Sequence, residues 1–435
     1  MKVIYTDKQA EFQFLDEMNR RAGEVNFSVS ESVLGILKDV SMKGDKAVRE
    51  YGEKFDGACP ASFEISKDEM KKAYDAADER FRNALIHAKE NITRYHEQQV
   101  QKGYELKKEN GVILGQIIRG LNRVGIYVPG GTAAYPSTVL MNAIPAKIAG
   151  VEEIIMVTPP LVEKDDTGNL TCRANPDILA AACLAGVDRV FLSGGAQAVA
   201  ALTYGTESFP RVDKIVGPGN IYVATAKKLL FGQVDIDMIA GPSEILILAD
   251  ETANPRYLAA DLMSQAEHDP LSSAVLLTRS EAIAKNTLNE IELQLKGLDR
   301  KDVIRQSLEN CSAIMVCSGM EEMLELADLI APEHLELMVK DPMDYVNKIK
   351  NAGSVFCGDY SPEPLGDYLA GTNHVLPTSG TARFSSPLGV YSFVKKMSYT
   401  CYTRDALAQD KDDIITIAEK EGLGAHANSV KVRFE

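Results

Sequence analysis

The stretch SQAEHDP, residues 264–270, sets a glutamine and a histidine three positions apart where a helical pattern is stopped by Pro270. Positions i and i+3 share one helix face, so the Gln265 amide and the His268 imidazole can converge on one point. Two readings stand open. One is a polar helix end with an imidazole near the negative end of the dipole; the other is half of a metal site, since neutral imidazole is a common ligand. The six histidines stand at 87, 96, 268, 334, 374 and 426. His87 and His96 lie on a charged helical stretch and read as structural or solvated, whereas the other four sit beside acidic or turn residues. Asp367 in PLGDYLAGTNHVLPT (364–378) and His426 in EKEGLGAHANS, which also carries Glu421, extend the pair to two imidazoles, a carboxylate and an amide oxygen. Zinc accepts such a nitrogen and oxygen set and can keep coordination room for a substrate. APEHLE (331–336) puts Glu333 beside His334 just before a strand pattern. An adjacent acid and imidazole can serve two proton transfers, although the same pair suits a surface turn. The absence of HExxH argues against a metalloprotease.

Three glycine turns follow three strand patterns: VPGGTAAYPS (128–137), SGGAQA (193–198) and GPGN (217–220). Glycine permits tight strand-to-helix turns and close approach of backbone N–H groups to phosphate. Any parallel sheet needs such turns, but three in succession favour a nucleotide or another phosphate-bearing ligand. The strict dinucleotide fingerprint is missing, because GPGNIY places Tyr222 where the last glycine would stand. No Walker A lysine pattern occurs.

These residues need a frame to hold them. A chain of 435 residues, 45% apolar and 25% charged, has room for two or three domains with sizeable cores. The net charge of −15 comes without a basic block, which argues against nucleic acid. No apolar run reaches membrane-span length, and MKVIYTDKQAEFQF has no secretory core, so a cytoplasmic protein is expected. Seven cysteines without CxxC read as buried thiols in a reducing compartment. Residues 28–100 pattern as helices. From about 112, short apolar runs alternate with helical stretches (VGIYVP, EEIIMVTPP, DRVFLSGG, DKIVGPG), and a second series follows with SEILILAD, SSAVLLTRS, SAIMVCSG, LELMV and GSVFCGD. Both series predict parallel sheets covered by helices. After Pro387 comes a tail with one or two helices, too short to own a core.

Taken in order, GIYVPGG, SGGAQAVAALTYGTES, VDKIVGPGN, AGPSEILILAD, DLMSQAEHDP, APEHLEL, AGSVFCGDYSPEPLGDYLAGTNHVLPT and LGAHANSV resemble the histidinol dehydrogenase family, over about residues 120–430. The resemblance implies a zinc-dependent, two-step oxidation of L-histidinol to L-histidine through L-histidinaldehyde, with two NAD+ consumed, as the last step of histidine biosynthesis. It implies one Zn2+ per subunit on Gln265, His268, Asp367 and His426, and proton transfer by Glu333 and His334. It further implies NAD contacts at Tyr127, Gln197 and Asn220. Substrate contacts would come from Ser243, Gln265, His268, His334, Asp367, His374, Glu421 and His426. The implied fold class is α/β, with two incomplete Rossmann-like parallel-sheet domains, a helical N-terminal segment and a small helical C-terminal domain exchanged in a homodimer that shares its sites. The expected boundaries are 1–27 for the N-terminal segment, 28–126 with 244–387 for the zinc and substrate domain, 127–243 for the NAD domain, and 388–435 for the tail. The polar stretch 162–171 reads as a surface loop of variable length. Two other classes compete: a zinc hydrolase on the same ligands, which would turn over without NAD+, and a non-catalytic nucleotide-binding module, which needs no Glu333 and His334.

Overall fold

The computed structural model describes residues 1–23, 27–130, 134–164 and 169–435. The central part of the 128–137 glycine turn and of the 162–171 stretch therefore lies outside the described residues. Two compact units emerge: residues 1–99 with 121–393, and residues 100–120 with 394–435.

The larger unit carries two parallel sheets. One takes the order Asp235–Ile236, Lys214–Val216, Arg123–Tyr127, Glu153–Thr158, Arg189–Leu192, closed by the antiparallel edge strand Glu64–Ile65. Numbered along the chain from Arg123, its five parallel strands run 5-4-1-2-3. The other runs Lys2–Tyr5, Ala313–Val316, Ser273–Thr278, Glu244–Ala249, His334–Met338, Ser354–Cys357, all parallel. Counted from Glu244 it repeats that order, with the N-terminal strand added at one edge. Both are therefore doubly wound, Rossmann-like sheets whose strand order reverses at the first strand.

The sequence runs explain the layering. EILILA and SAVLLT are buried along almost their whole length, as strands covered by helices on both faces must be. Alternate side chains serve opposite cores: Ile245, Ile247 and Ala249 join one cluster, and Leu246 and Leu248 the other. The same alternation sends Ile154 and Met156 to one face of the other sheet and Ile155 and Val157 to its opposite face. Helix starts follow the local chemistry. Asn175, Asn220 and Asn254 each turn a side-chain oxygen onto N–H groups of the first helical turn, two of them followed by Pro at the first helical position.

Three expectations change. Residues 2–5 form a strand paired in register with Ala313–Val316, so the N-terminal segment is not purely helical. The helices of 27–97 were expected with the zinc-side domain. Instead Val33, Ile36 and Leu37 pack with Phe191 and Val199, and Leu85 and Ile92 with Val124 and Ile126. These helices cover the two faces of the sheet of Arg123 with their apolar stripes. The C-terminal region is not helical alone: Val394–Cys401 forms eight antiparallel register pairs with Ile113–Gly120, which also pairs with Tyr104–Lys107. This small sheet and the helices Arg404–Lys420 and Gly424–Lys431 make up the second unit. Flanks of the 162–171 stretch form a two-stranded hairpin, Leu161–Lys164 against Leu170–Arg173. Among the described residues, no helix is long and apolar enough to cross a membrane, and no disulfide joins the cysteines.

Candidate active site

Two places in the larger unit gather several of the residues singled out above. The first is the carboxyl edge of the sheet of Arg123. Tyr127 ends the first strand there, and Gly217 to Asn220 follow the fourth, so both border the point where strand order reverses. Open α/β sheets bind ligands at that point. Tyr127 is buried, and its hydroxyl accepts a hydrogen bond from the Gly195 N–H at 3.0 Å. Burial raises the phenol's pKa to about 12. Gln197 lies on the helix Gly195–Tyr204, buried, with its Oε1 unpaired among the described residues. Asn220 is exposed at the head of Ile221–Leu230, its Oδ1 accepting from the Tyr222 and Val223 N–H groups at 3.0 and 3.2 Å. The side chain thus caps a helix, and its amide NH2 is the part left to face a ligand. At the matching place on the other sheet, Asp250 accepts from the N–H groups of Thr252 and Lys340, both at 2.9 Å.

The second place is the opposite, amino edge of the sheet of Glu244. His334 opens its strand, Glu333 precedes it, and Glu244 opens the neighbouring strand directly after Ser243. One main-chain residue orients the whole pair. The Glu244 carbonyl accepts from His334 Nδ1 at 3.0 Å, and the Glu244 N–H donates to Glu333 Oε2 at 2.9 Å. An Nδ1–H donor leaves the lone pair on Nε2. That nitrogen lies 3.6 Å from Glu363 Oε1. His334, Glu363 and Asp367 bring ligand atoms within 4.8 Å of one another, a spacing that can hold a cation. His374 joins them: its Nδ1 is 3.1 Å from the Asp367 carbonyl and its Nε2 3.3 Å from Thr138 Oγ1.

Burial sets the proton chemistry. It pushes the His334 imidazole down to about 4, against a smaller upward pull from Asp367, and holds His374 below the usual imidazole range. Burial raises the Glu333 carboxyl well above its ordinary value, raises Glu363 to about 9 and raises Glu244 to about 7. Glu244 is half-exposed as a residue, yet its Oε2 is shielded and unpaired among the described residues. Burial thus favours the uncharged form of each of these groups, neutral imidazole and protonated carboxyl.

Of the remaining candidates, Gln265 lies in the last turn of Pro255–Ala266, buried, with Oε1 unpaired among the described residues. Buried polar atoms are nearly always satisfied, so an orphan amide oxygen of this kind suits a cation ligand. His268 stands just beyond that helix, exposed, its N–H turned back onto the Gln265 carbonyl at 3.3 Å. It is near enough to His334 and His374 for its charge to disfavour theirs. Glu421 and His426 belong to the second unit, both exposed, at the C-cap of Arg404–Lys420 and on Gly424–Lys431.

Sequence reasoning missed three acids: Asp261, Glu336 and Glu363. Glu336 is fully buried, hydrogen-bonded to Asp261, and accepts from the Glu363 N–H at 2.9 Å. A signal existed. Glu363 and Asp367 stand four apart on one helix, and Glu336 stands two after His334 on one strand, so each pair shares a face. A surface groove around Ser62, Glu64, Lys67, Glu153 and Arg189 lies at the amino edge of the first sheet. There Arg189 is paired with Glu64 at 2.7 Å.

Two Rossmann-like sheets, one with a glycine turn at its switch point and the other with a desolvated imidazole among carboxyls at its amino edge, fit the class of α/β oxidoreductases. Comparison with known proteins makes this specific. The family model described as histidinol dehydrogenase matches residues 18–434. Histidinol dehydrogenase of Clostridium acetobutylicum is 55% identical over 423 residues, covering 97% of this chain and 96% of that protein. That of one Bacillus cereus strain is 50% identical over 435 residues, covering 100% and 99%. The crystal structure of histidinol dehydrogenase from Elizabethkingia anophelis matches with TM-score 0.90 at 39% identity, covering 100% of this chain and 98% of that one. The chain belongs to the histidinol dehydrogenase family.

Proposed function

We propose that the protein oxidises L-histidinol to L-histidine through L-histidinaldehyde, with two NAD+ consumed and one Zn2+ per subunit, in the cytoplasm. Family membership supports the substrate. The observation that carries the chemistry is the buried His334, anchored through Nδ1 on the Glu244 carbonyl with Nε2 turned to the carboxyl cluster.

Gln265, His268, Asp367 and His426 would hold the zinc. When bound, the metal fixes the substrate's amino and imidazole nitrogens, a contribution of orientation. Tyr127, Gln197 and Asn220 would hold NAD+, which takes up the hydride in each oxidation. His334 Nε2 accepts the hydroxyl proton as the alcohol is oxidised, and its Nδ1–H keeps the ring in the accepting tautomer. Glu333 is held by the Glu244 N–H, and its raised pKa makes its ionised form a stronger base than a surface glutamate. That suits it to take a proton from the water that adds to the aldehyde. Ser243, His374 and Glu421 complete the substrate contacts. In this account the protein is a homodimer, and Glu421 and His426 of the partner subunit complete each site.

The test is NADH absorbance on mixing protein, histidinol and NAD+. Formation that requires all three supports the proposal. Turnover of a hydrolysable substrate without NAD+, or nucleotide binding without turnover, would replace it with one of the two competing classes.

A further inference from the structure

The loop that opens the switch point of the first sheet is held by an unusual device. Lys227, on the underside of the helix Ile221–Leu230, and Asp237, just after the edge strand Asp235–Ile236, form an ion pair with side chains 2% and 1% exposed. Lys227 Nζ also donates to the Gly217 carbonyl at 2.9 Å. The other carboxylate oxygen of Asp237 accepts the Gly217 N–H at 2.7 Å, and the oxygen paired with Lys227 also accepts the Met238 N–H at 2.6 Å. Both polar groups of Gly217 are therefore bracketed by one buried pair.

Gly217 itself has no slack. Its φ of +105° lies in the region that favours glycine, and a Cβ there would fall 2.1 Å from the Tyr127 carbonyl oxygen. The glycine is pressed against the end of the first strand while the ion pair fixes its two hydrogen bonds from behind. Pro218 and Gly219 follow, then Asn220 as helix cap. The position of Asn220 against Tyr127 is thus set by Gly217.

Stability alone gives little reason for such a pair. Desolvating two charges costs about what their attraction returns, and well-packed apolar replacements are often as stable or more so. An apolar pair, however, offers the Gly217 N–H and C=O nothing. We propose that Lys227 and Asp237 are positioning residues for the cofactor: they hold the 217–220 turn in its NAD-binding conformation without touching NAD+. This inference rests on the assignment of the switch point to NAD+.

The experiment uses the full-length protein and the variants Asp237→Asn and Lys227→Met/Asp237→Leu. The expected result is an NAD+ KM raised about tenfold or more in the double variant, with the histidinol KM within about twofold of wild type. kcat at saturating NAD+ should fall far less than KM rises, and the melting temperature should stay within a few degrees. Asp237→Asn, which leaves Lys227 buried without its counter-charge, should be the less stable of the two. NADH binding followed by its own fluorescence gives the same comparison without turnover, in a chain that contains no tryptophan. A folded double variant with wild-type NAD+ KM and NADH affinity overturns the inference, as does an equal rise in both KM values. Should the double variant not fold, amide exchange in the wild-type protein decides: the Gly217 N–H should be among the slowest to exchange, and fast exchange overturns the bracket. Failure of the wild-type protein to reduce NAD+ with histidinol would instead strike the proposed function, leaving the exchange and NADH-binding results to judge the turn.

Discussion

Replacing His334 by asparagine separates the two things its ring does. An asparagine amide nitrogen falls near the place of Nδ1, so the hydrogen bond to the Glu244 carbonyl, 3.0 Å in the wild type, can be kept. The Nε2 atom, 3.6 Å from Glu363, is deleted outright. A positioned general base contributes typically about 10²–10⁴-fold, equivalent to roughly 3–5 kcal/mol of barrier. His334→Asn should therefore slow the alcohol step by that factor while the protein stays folded. The assay is single-turnover NADH formation from histidinol, with histidinaldehyde supplied separately to isolate the second step. Glu333→Gln is the matching control: it should slow the aldehyde step more than the alcohol step. The pH dependence sharpens the test. Because burial holds His334 down at about 4, its base form persists as pH falls, and His334 adds no acid limb near neutrality. In the alcohol step, where Glu333 takes no proton, an acid limb near about 6.5 is then expected from the substrate imidazole, which titrates there when unperturbed. A folded His334→Asn protein whose alcohol step stays within about threefold of wild type would refute the reasoning.

Three further outcomes follow. A strong chelator should abolish turnover and Zn2+ should restore it, and Gln265→Leu should lower zinc content measured by elemental analysis while circular dichroism is unchanged; full activity in metal-free protein would count against the ligand set. His96 is buried, donates its Nδ1–H to the Ile92 carbonyl at 2.8 Å, and is held below its usual 6.5 mainly by burial. The unfolded chain thus binds the extra proton first, so this contribution to stability is complete above about pH 6.5 and lost as pH falls below it. Urea midpoints of the wild type should drop more steeply from pH 7 to 5 than those of His96→Leu, and parallel slopes would contradict this. Finally, mixing Glu333→Gln with His426→Ala chains should regain activity, up to one working site per mixed dimer, if sites are shared between subunits; verified mixed dimers that stay inactive would show sites built within one chain.

Much of the frame was legible in the residues. Apolar runs such as EILILA mark strands buried on both faces, and the glycine turns fall at the ends of such runs. The spacing of Gln265 and His268 drew attention to them but left a polar helix end and a metal site both open. What escaped has physical reasons. Val394–Cys401 is mostly exposed, so no apolar alternation marks it as a strand; it is held by main-chain bonds to residues about 280 positions away. The alignment of Glu333 and His334 depends on the backbone of Glu244, and a main-chain donor and acceptor leave no trace in residue type. Asp261 and Glu336 are acids inside largely buried elements and Glu363 opens a short helix, places where pattern reading expects carboxylates to face water. The side on which the helices of 27–97 pack is a choice between two similar sheets that amphipathic stripes alone do not make.

The central claim is that one site carries an alcohol through to an acid. The most direct measurement counts NADH formed per histidinol consumed, with limiting histidinol, excess NAD+ and chromatographic identification of the product. The account predicts two NADH for each histidinol, with histidine as the end product and no accumulation of aldehyde. One NADH per histidinol with aldehyde released, or no NADH at all, would contradict it.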